Sequence, residues 1–452
     1  MSMDFSKYSP REFYRKLFSL MVPIAFQSFM VAAVNASDAL MLARLDQVSL
    51  SAVSLATQVA FIANMFLLSF NSGLSIFAAQ YWGKNDIGSI ERIFAYVLRS
   101  SALVSALFSF ASLFFPELLM KAYTSDEELI REGCVYLRAV SPTFLMAGVS
   151  QIFLCVLKNS EHALSATVIT SVSVVLNIAL NAVFIYGMLF FPRMGIKGAA
   201  LATVVSRTVE LVWSVAMNAR RGSVRLRLSY FLRVDAVLRR DFWHYSYPVL
   251  VNQIVWGVGF SMYSVIMGHL GSDAVAANSI SNIVKNLVTC LSSGISAGGG
   301  IMIGNELGRG NLERAKIYGS KICHIAIGVG AAMGIVIVLL IPFVLSIVSM
   351  SAEAAHYLKW MLVMCSYNMI GKSSNVATNC GIFPAGGDAK FSMICDSVTM
   401  WAVCVPAGLL AAFVFHAPVL LVFFIINLDE MVKLPAIFIY YKKYRWLRNI
   451  TR

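Results

Sequence analysis

Long unbroken runs of apolar residues dominate the chain, separated by short polar segments. Within the runs apolar and polar residues do not alternate at every second position, so they predict helices rather than strands. A helix needs about 20 apolar residues to cross a bilayer. Twelve runs are read at about that length: 17–43, 48–82, 93–115, 128–157, 163–190, 196–217, 242–268, 274–307, 317–348, 354–383, 390–415 and 419–441. Two further segments, 5–18 and 222–241, are patterned as surface helices. The second reads as a basic amphipathic connector or as a solvated tether.

The twelve runs fall six and six, and the two sets share landmarks. Pro23 recurs as Pro248, Leu45 as Leu270, Ala52 as Ala277, Gly73 as Gly298 and Gly83 as Gly308, each 225 positions on. Pro116 and Pro342, then Pro192 and Pro418, keep the match at 226. Prolines and glycines mark backbone geometry, so their agreement carries more weight than the low overall identity of the halves. Six spans per half start both halves on the same side of the membrane, which predicts parallel repeats related by a two-fold axis along the membrane normal. The expected fold is an all-α integral membrane protein. Its two six-helix lobes cover residues 1–217 and 242–452, with a basic linker at 218–241. Duplicated halves in an apolar chain are a plan of secondary transporters, with the substrate expected between the halves.

Composition agrees: 58% of residues are hydrophobic and 13% charged, against about 25% charged in soluble proteins. Mean hydropathy is +0.73. Lys and Arg cluster before the first run (Lys7, Arg11, Arg15, Lys16), between the sixth and seventh (Arg220 to Arg240) and after the twelfth (Lys442 to Arg452). By the positive-inside rule both termini and the linker are cytoplasmic. The net charge of +13 therefore sits at span ends and does not point to nucleic acid. None of the eight cysteines forms a CxxC pair, and most fall in spans as small apolar packing residues. No small-residue cleavage site follows the first run, which is read as an uncleaved helix. Gly371-Lys372-Ser373 lacks the leading glycine and the strand of a phosphate loop. With no nucleotide site, metal spacing or Ser/His/Asp set, the sequence points away from an enzyme and from a bound cofactor, and transport would draw on an ion gradient.

Ionisable and amide side chains inside spans mark candidate chemistry, because lipid does not satisfy them. Asp38 lies about 22 Å along the first helix from Pro23 at 1.5 Å per residue, in the outer half of the span. It is either a functional carboxylate or an interfacial one reaching water. Asn177 and Asn181 are one turn apart on one face, placed for cation coordination or for interhelical bonding. Thr203 offers one hydroxyl, to a site or to its own helix. In the second half Asn278, Asn282 and Asn286 form a stripe with Lys285 beside them, and Lys372 and Asp396 are two further buried charges. The stripe points to a hydrated substrate cavity. Lys372 and Asp396 form either a structural ion pair or part of that cavity. Asp429, Glu430 and Lys433 are spaced to neutralise one another. Pro23 and Pro248 open the first helix of each half and let it bend. Gly298, Gly299, Gly300, Gly304 and Gly308 serve packing or a hinge.

Taken together these residues resemble the MATE (multidrug and toxic compound extrusion) family, bacterial NorM/DinF-like, over nearly the whole chain. The resemblance is carried by Pro23 with Asp38 and by Gln80-Tyr81-Trp82-Gly83-Lys84-Asn85. It continues in Asn177-Ile178-Ala179-Leu180-Asn181, Gly195-Ile196-Lys197-Gly198-Ala199-Ala200-Leu201-Ala202-Thr203, Ala385-Gly386-Gly387-Asp388-Ala389-Lys390-Phe391 and the tail Asn427 to Lys433. It implies a twelve-helix antiporter of a bacterial inner membrane, acting as a monomer among membrane lipids. Such a protein exports small organic compounds, often cationic and amphipathic, in exchange for Na+ or H+. The family's cation site maps onto Asp38, Asn177, Asn181 and Thr203. Asn181 stands where an aspartate is usual, which leaves one formal negative charge at that site. The chain also departs from the family at Lys158-Asn159-Ser160-Glu161-His162 and at Pro384, and no acid occurs within 246–268. Two rival readings are a lipid-linked sugar flippase, suggested by Lys285 and Lys372, and a non-transporting membrane receptor or scaffold.

Overall fold

The computed structural model describes the backbone of residues 10–43, 47–188, 191–221, 224–232, 236–348 and 350–451; the side chains of 35, 36, 38–40, 42, 43, 47, 48, 50, 221, 228 and 232 lie outside the description. Every regular element among the described residues is helical. The first half contains α1 (Pro10–Ala43), α2 (Gln47–Lys84), α3 (Ile87–Phe114), the short α4 (Pro116–Lys121), α5 (Glu127–Asn159), α6 (Ala163–Tyr186) and α7 (Gly195–Arg221). A five-residue helix, α8 (Leu228–Leu232), leads to the second half. That half holds α9 (Ala236–Gly268), α10 (Ser272–Gly308), α11 (Leu312–Ile347), α12 (Ala352–Asn375), α13 (Phe383–Ala385), α14 (Ala389–Ser397), α15 (Val405–Leu409), α16 (Val419–Ile426) and α17 (Asp429–Lys442).

Ten helical stretches among the described residues are long and apolar enough to cross a membrane. The tenth and twelfth predicted spans complete the twelve in another form. α12 carries Lys359, Asn368 and Lys372, which lower its apolarity, and it runs on through a π-helical stretch, Val376–Ile382. The last span breaks at Asn427 and Leu428, between α16 and α17. The break is satisfied inside the protein: the Asn368 amide donates to the Asn427 carbonyl, and Asn427 Nδ2 donates to Phe423 O at 2.9 Å. A broken helix is tolerated at membrane depth where neighbours take up the freed backbone groups.

Helix starts are written locally. Asp86 accepts from Ser89 N at 3.0 Å ahead of α3, and Asp126 from Glu128 N at 2.9 Å ahead of α5. Ser351 accepts from Ala354 N at 3.0 Å ahead of α12. Each satisfies an amide that the first turn leaves open. Leu103 and Leu107 on α3 are 66% and 65% exposed, and Leu339 and Phe343 on α11 are 70% and 60% exposed. Large apolar side chains in such stripes, one turn apart, suit a surface facing lipid.

The two expected surface helices differ from the prediction. From Pro10 the first segment is continuous with α1, because nothing between Pro10 and Ala43 breaks the hydrogen-bond ladder except the tolerated Pro23. Within 222–241 only Leu228–Leu232 and the start of α9 are helical among the described residues.

The chain packs as two compact units. The first comprises Gln27–Ala78 and Asn85–Trp243; the second comprises Met1–Phe26, Ala79–Lys84 and His244–Arg452. α1 thus passes from the second unit to the first just beyond Pro23. The end of α2 belongs to the second unit for a visible reason. A Cβ added at Gly83 would lie 2.0 Å from the Asn305 carbonyl oxygen, and one at Gly308 would lie 1.8 Å from that of Gln80. One at Gly304 would lie 2.7 Å from the Ala79 Cβ. In the repeat Gly83 matches Gly308, Gln80 matches Asn305 and Ala79 matches Gly304. The contacts are therefore reciprocal, which is the signature of a two-fold crossing. Among the glycines of α10, Gly304 and Gly308 serve close helix packing. The C-terminal tail ties the same corner: Gln80 Nε2 donates to Ala385 O at 2.7 Å, Gln80 Oε1 accepts from Ile450 N at 2.8 Å, and Trp446 is fully buried.

Candidate functional site

Each unit carries its own polar cavity. In the first unit α6 and α7 present small and amide side chains at helical spacing, and these face inward because lipid cannot satisfy them. Asn181 Nδ2 donates to Asn177 Oδ1 at 3.2 Å. Asn177 Nδ2 in turn reaches Ser206 Oγ at 3.3 Å and Thr203 Oγ1 at 3.4 Å. Three of the sequence candidates are thereby brought together. The fourth, Asp38, falls within α1, but its side chain lies outside the described residues. Asn177, Thr203 and Ser206 line a cavity of about 210 Å³ with Thr170, Ser173, Arg207 and Glu210.

Arg207 and Glu210 had no part in the sequence reading. Glu210 is buried in α7, accepting from Arg207 Nη1 at 3.0 Å and from Ser150 Oγ at 2.8 Å. Their spacing of three positions inside an apolar run was the available signal. Close by, Gln27 Nε2 donates to Thr170 Oγ1 at 2.9 Å, linking α1 to α6.

The second unit is ionic. Lys433 on α17 is nearly enclosed by carboxylates: Asp396 at 3.0 Å, Glu430 at 3.6 Å and Asp429 at 3.7 Å. Lys372 on α12 lies 3.7 Å from Glu430. Glu430 also accepts from Asn375 Nδ2 at 2.8 Å, and Asp396 accepts from Asn252 Nδ2 at 3.0 Å. Lys372 and Asp396, for which the sequence leaves open an ion pair or a cavity role, each meet a different residue of α17, Glu430 and Lys433, and both line one cavity. Buried charges cost several kcal/mol each unless paired and hydrogen-bonded. Here that condition is met by residues from four helices.

This cluster walls a cavity of about 320 Å³, lined also by Asn252, Trp256, Asn286, Lys372 and Asn379. A smaller one of about 50 Å³ adjoins it, sharing Trp256, Asn286, Lys372 and Glu430 and adding Phe260, Lys285 and Asp429. Of the asparagine stripe, Asn286 lines both cavities, whereas Asn278 and Asn282 are half-buried and line neither. Eight residues of helix span about 12 Å at 1.5 Å each, so the stripe extends beyond the cavity and only its last turn reaches it. The wall includes π-helical turns, with Val376, Asn379 and Cys380 from one and Met400 from the next. Such turns inside α-helices are frequent at functional sites. Pro23 lies inside α1 and Pro248 inside α9, at matching places in the two halves.

A duplicated bundle of membrane-crossing helices, with a polar cavity in each unit, defines a multi-pass membrane protein built on a transporter plan. The MatE family model matches residues 23–183 and again 248–410, so it begins at Pro23 and at its repeat Pro248. The chain belongs to the MatE family of multidrug efflux transporters, whose members are transporters and not enzymes. It is 25% identical over 423 residues to the probable multidrug resistance protein NorM of Rhizobium meliloti, covering 90% of this chain and 88% of that one. It is 22% identical to the uncharacterized transporter YisQ of Bacillus subtilis, over 87% of this chain and 86% of YisQ. Among solved structures, a MOP superfamily transporter from Pyrococcus furiosus, described as having a binding pocket of reverse polarity, superposes with a TM-score of 0.86 at 19% identity, covering 95% of each chain.

Proposed function

We propose that the protein is a cation-coupled antiporter of a bacterial inner membrane, with both termini cytoplasmic, exporting small organic compounds in exchange for Na+ or H+. Asp38 is assigned the coupling ion or proton, with Asn177, Asn181 and Thr203 supplying neutral oxygens. The single observation that supports this most is the oxygen-rich cluster of Asn177, Thr203 and Ser206 on the wall of a cavity inside the first unit. Asn and hydroxyl oxygens are hard ligands suited to a small cation. Glu210 is already held by Arg207 and Ser150, which leaves Asp38 as the carboxylate for the ion.

Coupling needs a mobile element, and α1 fits that role. It carries Asp38, and it changes unit just beyond Pro23. A proline removes one intrahelical hydrogen bond and permits a bend. Cation occupancy at Asp38 would bias the bend and so the access of substrate. The test is efflux from proteoliposomes under sodium and proton gradients varied separately. Asp38→Asn is expected to abolish gradient-driven efflux while thermal stability in detergent is unchanged. Full efflux by that variant would remove Asp38 from the mechanism.

A further inference from the structure

Among the ammonium groups that line the second unit's cavities, one is treated differently from the others. Lys433 has three carboxylates within 4 Å and Lys372 has one. Lys285, on α10, has no carboxylate that close among the described residues; it reaches Asn427 Oδ1 at 3.5 Å and the Phe260 ring, 6.0 Å from centroid to Nζ. The three acids present, Asp396, Asp429 and Glu430, converge on Lys433, and Glu430 is shared with Lys372 and Asn375. The cluster is formally neutral, yet the positive end at Lys285 is left facing a cavity.

Two further features of the same walls point to a ligand. Asn379 is 4% exposed, and among the described residues its Nδ2 has no acceptor, while Asn252 Oδ1 and Asn375 Oδ1 on the same wall have no donor. Buried polar groups without partners are a cost that a polar ligand removes, whatever its charge, so the sign is set by Lys285. Trp256 and Phe260 stack nearly parallel, with ring centroids 5.5 Å apart and planes 13° apart, and both line the smaller cavity. Together the adjoining cavities offer the Lys285 ammonium with Trp256 and Phe260 in one, and Lys372 with unpartnered amide groups in the other. The larger cavity, which Trp256 and Lys372 share with the smaller, has the size for a small aromatic molecule rather than a lipid with two acyl chains.

We propose that the second unit binds an amphipathic organic anion, its carboxylate, sulfonate or phosphate group on Lys285 with Lys372 beside it, and its aromatic body against Trp256 and Phe260. This deepens the exporter reading by giving its cargo a charge class, and rests on that reading only for the step of transport. Binding itself is separable.

The experiment is quenching of Trp256 fluorescence in the purified full-length protein in detergent, with Trp256→Phe as the background. The probes are naphthalene-2-sulfonate and N,N,N-trimethyl-2-naphthylammonium, which share a ring system and differ in charge. The sulfonate is expected to bind at least tenfold more tightly than the ammonium. Lys285→Gln is expected to weaken the sulfonate tenfold or more, and Lys285→Arg to retain most of its affinity, with both variants checked for unchanged thermal unfolding. Equal affinity for the two probes, or sulfonate binding untouched in folded Lys285→Gln, would overturn the proposal. Should Lys285→Gln not fold, the Lys285→Arg variant and the paired probes still decide it. Loss of flux with charge-selective binding intact would count against the exporter reading instead.

Discussion

Gln27 and Asn252 occupy matching places in the two halves, and so do Thr170 and Asp396 once the one-residue slip is counted. In the first unit Gln27 donates to Thr170 at 2.9 Å; in the second Asn252 donates to Asp396 at 3.0 Å. The scaffold bond is the same, from the first helix of a half to its fifth. The acceptor is a hydroxyl in one half and a carboxylate in the other. Arg207 and Lys433 also match, and each meets a glutamate three positions away in its own helix, but Lys433 adds Asp429 and, across helices, Asp396. Duplication has kept the framework while the polar chemistry diverged, towards amide and hydroxyl oxygens with one Arg207–Glu210 pair in one unit and a network of three lysines and three acids in the other. The proposals of cation coupling in the first unit and anion binding in the second both rest on that divergence.

The contrast is tested hardest at the two matching cations. Lys433→Met leaves three carboxylates facing each other without their central ammonium. The expected loss is about 3–5 kcal/mol, the range for breaking a buried ion pair by removing one partner. Arg207→Met should cost less, about 1–3 kcal/mol, because Glu210 keeps its bond from Ser150. Chemical unfolding in detergent reads both. Equal losses would mean that the two networks are energetically alike, and the contrast drawn here would fail.

The α2–α10 crossing makes the opposite demand, that matching positions behave alike. Gly83→Ala and Gly308→Ala each push a methyl into a backbone carbonyl, and each is expected to cost about 3 kcal/mol, the upper part of the usual overpacking range. A large inequality between them in thermal unfolding would show that the crossing is not the reciprocal contact its geometry describes.

Architecture was legible because lipid leaves little choice. Span lengths, the six-and-six division and the recurring Pro23 and Gly83 could be read straight from the chain. The shared turn of Asn177 and Asn181 could be read there too, whereas their grouping with Thr203 came from the family resemblance. The network around Lys433 was half legible. Its spacing to Asp429 and Glu430 is local, but its nearest partner, Asp396, lies 37 positions away, and no periodicity encodes that contact. The same lack of long-range information left Lys372 and Asp396 open between an ion pair and a place in the cavity. Aligning the two halves residue by residue would have set Asn252 and Asp396 against Gln27 and Thr170. That signal was present in the chain and concerns the bonds through which the halves differ most.

Those bonds give the smallest effects and the finest discrimination. Asn252→Leu removes a donor from a buried carboxylate, and hydrogen bonds to charged groups contribute about 1.5–3 kcal/mol. Gln27→Leu removes a donor from a hydroxyl that can turn to its own helix backbone, so about 1 kcal/mol is expected. Adding Thr170→Val to Gln27→Leu should cost little more, since replacing both partners of a neutral pair by apolar groups of similar shape is nearly neutral. Adding Asp396→Val to Asn252→Leu should be sharply worse, because Lys433 then loses its nearest carboxylate. A double-mutant cycle in each unit measures this directly, and cycles of equal size in the two units would erase the distinction between a structural bond in one half and a charged node in the other.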